Sequence, residues 1–181
     1  MLRFLKTLRR RSSRRPSVES PWDVLSGTGN GIGGAPLSLR RLAVLSDRDF
    51  ERVYLDELFS VFLHQGTAYL ATPFAIREVM KLLQSLDSAR SADLVYWFRC
   101  CLWAESLGRV GPSRAGLWLP ATEEEQLLKH GIVRPTVREV LIDGEEKLAR
   151  LAESSDSDLA EDAQLLLESL RTGKVSYPDD P

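Results

Sequence analysis

From residue 35 onward the apolar positions fall three and four apart almost throughout, and residues that cap helices or form turns break the pattern at short intervals. APLSLRRLAVL, residues 35–45, predicts a short amphipathic segment with Leu37, Leu39, Leu42 and Leu45 as its apolar positions. Ser46 then caps a longer helix, with Asp49 three residues on in a variant capping box. Phe50, Val53, Tyr54, Leu58, Val61 and Phe62 form its core-facing stripe. This helix is expected to end near His64, closed by Gly66 in the left-handed conformation. Thr72 as N-cap and Pro73 as first helical residue predict the next helix, with Phe74, Ile76, Val79, Met80, Leu83 and Leu86 available for packing.

After the turn SLDSAR, a helix is predicted to begin at Ser91. Leu94, Val95, Trp97, Phe98, Cys101 and Leu102 crowd most of its circumference, which implies contacts on both sides, and Gly108 ends it. Residues 109–121 read as an irregular loop. Thr122 with Glu125, and Thr136 with Glu139, form capping boxes for two further helices. Gly144 weakens the second by about 1 kcal/mol against alanine. A last helix places Leu159, Ala163, Leu166, Leu167 and Leu170 on one face and closes at Gly173. No segment reads as a strand. Helix pairs recurring at about forty residues predict an all-α fold, a short α-solenoid of HEAT- or armadillo-like hairpins. The expected organisation is a basic arm (1–20), a Gly-rich connector (21–34), a helical repeat domain (35–173) and a tail (174–181) that frays.

One stretch within this pattern is distinctive. HQGTAYLATPF, residues 64–74, follows YLDELFSVFL. It resembles a family of HEAT-repeat-like proteins common in actinobacteria and their relatives, which carry a stretch close to HQGTVYxATxxAVPFL after a helix with the pattern ALDELW. Asp56, Glu57 and Leu58 match the helix; His64, Gln65, Gly66, Thr67, Tyr69, Ala71 and Thr72 match the stretch. The likeness covers roughly residues 29–105. Arg77 stands where the family has proline and Glu78 where it has an apolar residue, so this helix starts a turn earlier. The family is mostly of unassigned function. The resemblance implies an α-solenoid that presents a surface, and implies no reaction.

Charge is unevenly distributed. The 181 residues carry a net charge of -2, yet residues 1–15 hold Arg3, Lys6, Arg9, Arg10, Arg11, Arg14 and Arg15 and no acid. Residues 121–181 hold fifteen acids against seven bases. An acidic body disfavours nucleic acid, so polyanions or an anionic membrane are expected only at the arm. The arm fits a frayed tail, a membrane-surface or polyanion-binding element, or a targeting peptide without an apolar stretch. No apolar run is long enough to span a bilayer, and the only two cysteines, Cys100 and Cys101, are adjacent, which suits a reducing cytoplasm.

Candidate chemistry is sparse. SGTGNGIGG, residues 26–34, alternates glycines, but it lacks the preceding buried strand that a dinucleotide loop requires. Cys100 and Cys101 lie among Trp97, Phe98 and Trp103, an apolar setting that suppresses a thiolate. His64 and His130 are far apart, so neither a metal nor another cofactor is expected. Glu123, Glu124 and Glu125 suit a helix N-terminus, and Asp56 and Glu57 a solvated face. Trp97 and Trp103 with Asp93 would suit a helical-repeat glycosylase, yet the only nearby bases are Arg77, Lys81, Arg90 and Arg99. His64, Gln65, Thr67 and Tyr69 remain the candidate site. They form either a hydrogen-bonded corner between helices or a contact surface built on one.

These readings lead to a non-catalytic interaction module or scaffold whose acidic helices from 122 to 170 meet a basic protein partner, with no small-molecule substrate. An immunity protein that neutralises a cationic nuclease toxin is one concrete form. A DNA-binding or DNA-processing helical repeat, and a membrane-surface adaptor using the arm, are the alternatives.

Overall fold

The computed structural model describes residues 21–25, 37–111 and 120–178. Residues 1–20 and the glycine-rich stretch 26–34 lie outside the described residues.

Eight α-helices and a small three-stranded sheet make up the described chain. α1 (Leu37–Arg41) runs into a 3-10 turn, Leu42–Val44. α2 begins at Asp47 behind Ser46, whose hydroxyl accepts the Asp49 N–H at 3.3 Å, as expected. Its first part, Asp47–Arg52, is α-helical, but Val53–Phe62 winds as a π-helix. The wider winding moves the buried stripe to Val53, Leu58 and Phe62, spacings of five and four. At the far end the Leu58 carbonyl accepts both the Leu63 N–H and the Trp97 indole N–H.

The chain next departs from an all-helical pattern. β1 (Leu63–His64) and β2 (Thr67–Tyr69) form an antiparallel hairpin, and β3 (Val110–Gly111) joins β2 in parallel. The expected helical end at His64 and the expected irregular start of the 109–121 loop are therefore both short strands. Two or three residues per strand are too few to show a period of two in the sequence, and the pairing exists only once α4 brings residue 110 alongside.

α3 (Thr72–Leu82) follows, with Ala71 at the N-cap position and no side-chain cap. The expected role of Thr72 is thus corrected: it is the first helical residue. α4 (Ser88–Ser106) starts a turn before the predicted Ser91, because Asp87 is the cap and its carboxylate accepts the Arg90 N–H at 2.9 Å. Ser91 is buried on the helix. α5 (Pro120–Lys129) starts two residues before Thr122. α6 (Val137–Asp143) opens on the predicted capping box of Thr136 and Glu139. Gly144 does more than weaken the next helix; it separates α6 from α7 (Glu145–Leu151). A Cβ there would lie 2.9 Å from the Met80 sulfur and 2.7 Å from its methyl, so glycine also admits close packing of α3. α8 (Ser157–Thr172) ends at Gly173 with φ 73°, as predicted.

α4 lies at the centre. Leu94, Val95, Trp97, Phe98, Cys101 and Leu102 are all buried, matching the crowded circumference in the sequence. Its largest interface is with α8; α3 packs on α6 and α1, and α7 on α8. The start of the connector belongs to this core. Trp22 is buried, edge-on to Phe62 and Phe74 with ring centroids at 6.2 and 6.3 Å. The tail is also held in part, since the Tyr177 ring meets Trp103 edge-on at 4.8 Å.

Candidate interaction surface

The HQGTAYLAT stretch is a corner, and its geometry accounts for its residues. His64 pairs with Thr67, leaving Gln65 and Gly66 as a two-residue hairpin loop with φ 49° and 71°. Positive φ at both positions is the signature of a type I′ turn. Gly66 is further constrained by space: a Cβ would stand 3.0 Å from Trp103 and 3.2 Å from an Arg109 guanidinium nitrogen. Arg109 lies over the Trp103 ring, 5.2 Å from its centroid. The hydroxyl that ties the corner together is Thr72's, rather than that of Thr67. It accepts the Tyr69 N–H at 2.8 Å and donates to the Phe62 carbonyl. Tyr69 is buried, His64 and Thr67 are half-buried, and Gln65 alone of the four candidates is exposed. Beside the turn is a cleft of about 230 Å³ that Gln65, Phe59, Cys100, Trp103 and Tyr177 help to line.

The two cysteines are placed where burial suppresses a thiolate. Cys100 and Cys101 are both buried. Burial, then the neighbouring Cys100 and Glu105, pushes the Cys101 pKa well above the ordinary thiol range. His64 sits on β1 and His130 is exposed beyond α5. Among the described residues no group of three or more His, Cys, Asp or Glu side chains could hold a metal ion. Trp97 is fully buried.

Ion pairing redraws the charge pattern of the sequence. Arg77 pairs with Asp143 at 3.8 Å, Lys81 with Glu78 at 2.8 Å, Arg90 with Asp47 at 2.6 Å, and Arg99 with Asp162. Every base of the potential DNA-facing set thus has a carboxylate beside it. About half of the acids of 122–170 are likewise engaged. Glu125, Asp143, Glu145, Glu146 and Asp162 pair with bases, Asp156 caps α8, and Glu139 closes its capping box. The box, through the Thr136 N–H and hydroxyl, holds the Glu139 pKa below the usual carboxylate range.

A different acidic feature emerges between α2 and the first turns of α4, a groove of about 620 Å³. On α2, Asp47, Phe50, Glu51, Tyr54 and Leu55 recur at three and four. At the cap of α4 and along its first turns, Asp87, Arg90 and Asp93 recur at three. Phe50, Tyr54 and the half-exposed Leu55 supply apolar lining, and four carboxylates surround them. Arg90 shows how a guanidinium sits there. It lies 5.1 Å over the Phe50 ring centroid and pairs with Asp47 at 2.6 Å and Asp87 at 3.3 Å. Glu51 and Asp93 have no basic partner within ion-pair distance among the described residues. Desolvation, then the charge of Asp87, raises the Asp93 pKa. Burial, then Asp93, raises that of Tyr54, so its hydroxyl stays protonated at neutral pH.

The α2 half of this groove is legible in the sequence as spacing, but its function as a wall is not. The facing acids stand some forty positions away, and only the packed structure brings Asp47 to Arg90. Compared with models of known protein families, with curated proteins and with solved structures, the chain matches none.

Proposed function

We propose that this protein is a non-catalytic helical interaction module that binds a cationic segment of a partner protein in the α2–α4 groove. The single observation that carries the reading is the seat of Arg90: a guanidinium stacked on Phe50 between two carboxylates, with Glu51 and Asp93 left over for a second cation. A guanidinium on an aromatic face gains a cation–π term of about 0.5–1 kcal/mol at an exposed site. Its planar fork also matches carboxylates better than an ammonium does. The groove therefore favours arginine over lysine. The partner surface of this reading lies on α2 and α4.

An immunity protein neutralising a cationic toxin, acting in the cytoplasm, is one form of this reading. HEAT-like helical hairpins form part of the same proposal. Their support is the packing of α3 on both α4 and α6, and α8 against α4 would close the array.

The test is fluorescence anisotropy with a labelled hexa-arginine peptide at low salt. The expected outcome is saturable binding that weakens at least tenfold in Glu51→Gln/Asp93→Asn, and weaker binding of hexa-lysine. An equal charge change on α8, Glu161→Gln/Glu168→Gln, should leave affinity unchanged. Equal loss from both double variants would reduce the effect to net charge and sink the groove reading.

A further inference from the structure

We propose that the cleft beside the Gln65–Gly66 turn binds a small neutral molecule with one aromatic ring and a polar substituent, held between Phe59, Trp103 and Tyr177. The inference is independent of the α2–α4 groove.

The walls are the first argument. Phe59 stands on the π-wound part of α2, Leu63 on β1, and Cys100 and Trp103 three residues apart on α4. Residues at that spacing share a helix face. Two of the aromatic walls are set by neighbours. Phe59 meets Tyr54 edge-on at 5.1 Å, and Arg109 lies 5.2 Å over the Trp103 ring. Tyr177, on the tail beyond α8, supplies the third.

Three rings around about 230 Å³ indicate the ligand's chemistry. Aromatic rings favour edge-to-face and offset contact with one another. An apolar cavity of about 150 Å³ already takes benzene, so this cleft has room for one ring with a substituent. Aromatic walls also suit quaternary ammonium groups. Here no carboxylate of the described residues lines the cleft, and the Arg109 guanidinium already sits over Trp103. A second cation would meet that charge, so the ligand is neutral.

Gln65 supplies the polar end. It lines the cleft, and among the described residues it is the one non-glycine residue at positive φ. Glycine or asparagine takes such a turn position at lower cost. Strain of this kind collects where a side chain is kept for a role other than stability. What glutamine adds is a carboxamide, which both donates and accepts hydrogen bonds. A hydroxyl on the ring is the matching group.

The test is a titration of the full chain with 4-methylphenol, followed through its side-chain N–H resonances by NMR. The expected result is saturable shifts of the Gln65 carboxamide and the Trp103 indole, with the buried Trp22 and Trp97 indoles unmoved. Tyr177→Ala should weaken binding about fivefold, with Tyr177→Phe retaining it. Toluene should bind about fivefold more weakly than 4-methylphenol, a preference that Gln65→Gly removes while raising the thermal midpoint. N-acetyltyrosine amide should bind more weakly as well, because the volume suits a ring and its substituent rather than a peptide unit too. Shifts that do not saturate, or equal affinity in Tyr177→Ala, would overturn the proposal. So would choline binding more tightly than 4-methylphenol, which would assign a cation, or N-acetyltyrosine amide doing so, which would assign a partner's side chain.

Discussion

The Trp97 indole donates a hydrogen bond to the Leu58 carbonyl at 3.2 Å, across thirty-nine residues and inside the core. That carbonyl lies in the π-wound part of α2, where it also accepts the Leu63 N–H. The bond joins the central helix to the wider winding that presents Tyr54 and Leu55 at the groove. Trp97→Phe keeps an aromatic ring but removes the donor. The expected cost is about 2 kcal/mol, the scale of a lost buried hydrogen bond with a small cavity. Urea unfolding measures it, and a loss below about 0.5 kcal/mol would mean that Leu63 alone satisfies the carbonyl.

Thr72 is one of two buried polar side chains among the described residues, and its hydroxyl serves two backbone groups of the corner. Thr72→Val preserves shape and leaves the Tyr69 N–H without this partner. The expected destabilisation is roughly 2–3 kcal/mol, with Thr72→Ser recovering about half. A valine variant as stable as wild type, with the serine variant destabilised, would show that the methyl, not the hydroxyl, matters.

Gly66 and Gly131 share φ 71°, but only Gly66 has neighbours that a Cβ would crowd. Both alanine variants should lose about 1 kcal/mol for the left-handed backbone. Gly66→Ala should lose at least a further 1 kcal/mol from contact with Trp103 and Arg109. Thermal unfolding of the two variants side by side isolates the packing part, and equal losses would remove it.

Cys101 and Tyr54 both have pKa values raised by burial. Above the ordinary thiol pKa, roughly 8.5, the unfolded chain loses a proton that the folded chain keeps, and Tyr54 repeats this above about 10. The unfolded state then binds fewer protons, so stability, fully present below pH 8.5, falls as pH rises. Urea midpoints from pH 7 to 10.5 should decline in two stages, and Cys101→Ala should flatten the first. An unchanged first stage in that variant would assign it to another group.

Legibility in the sequence followed range. Ser46 and Thr136 announce their helices through bonds to residues three positions on, and both caps form. The apolar circumference of residues 94–102 announces a central helix, and the structure buries it. The hairpin at His64 was hidden, because two-residue strands carry no period and Gln65 is an unusual residue at positive φ. The π-winding was hidden too, since a stripe at 50, 53, 54, 58, 61 and 62 fits an α-helix equally well.

The sequence by itself determined the helical character, the caps at Ser46, Thr136 and Gly173, the buried cysteines and the separation of a basic arm from an acidic second half. Each depends on residues a few positions apart or on composition. Only the tertiary structure decided which charges remain unmatched. Arg77 finds Asp143, and Arg99 finds Asp162, over more than sixty residues. Those pairs bring two bases of the middle region against acids of the second half, while Glu51 and Asp93 stand without a basic partner among the described residues on the wall between α2 and α4. A Coulomb interaction depends on distance in space and on solvent, and neither quantity is written along the chain.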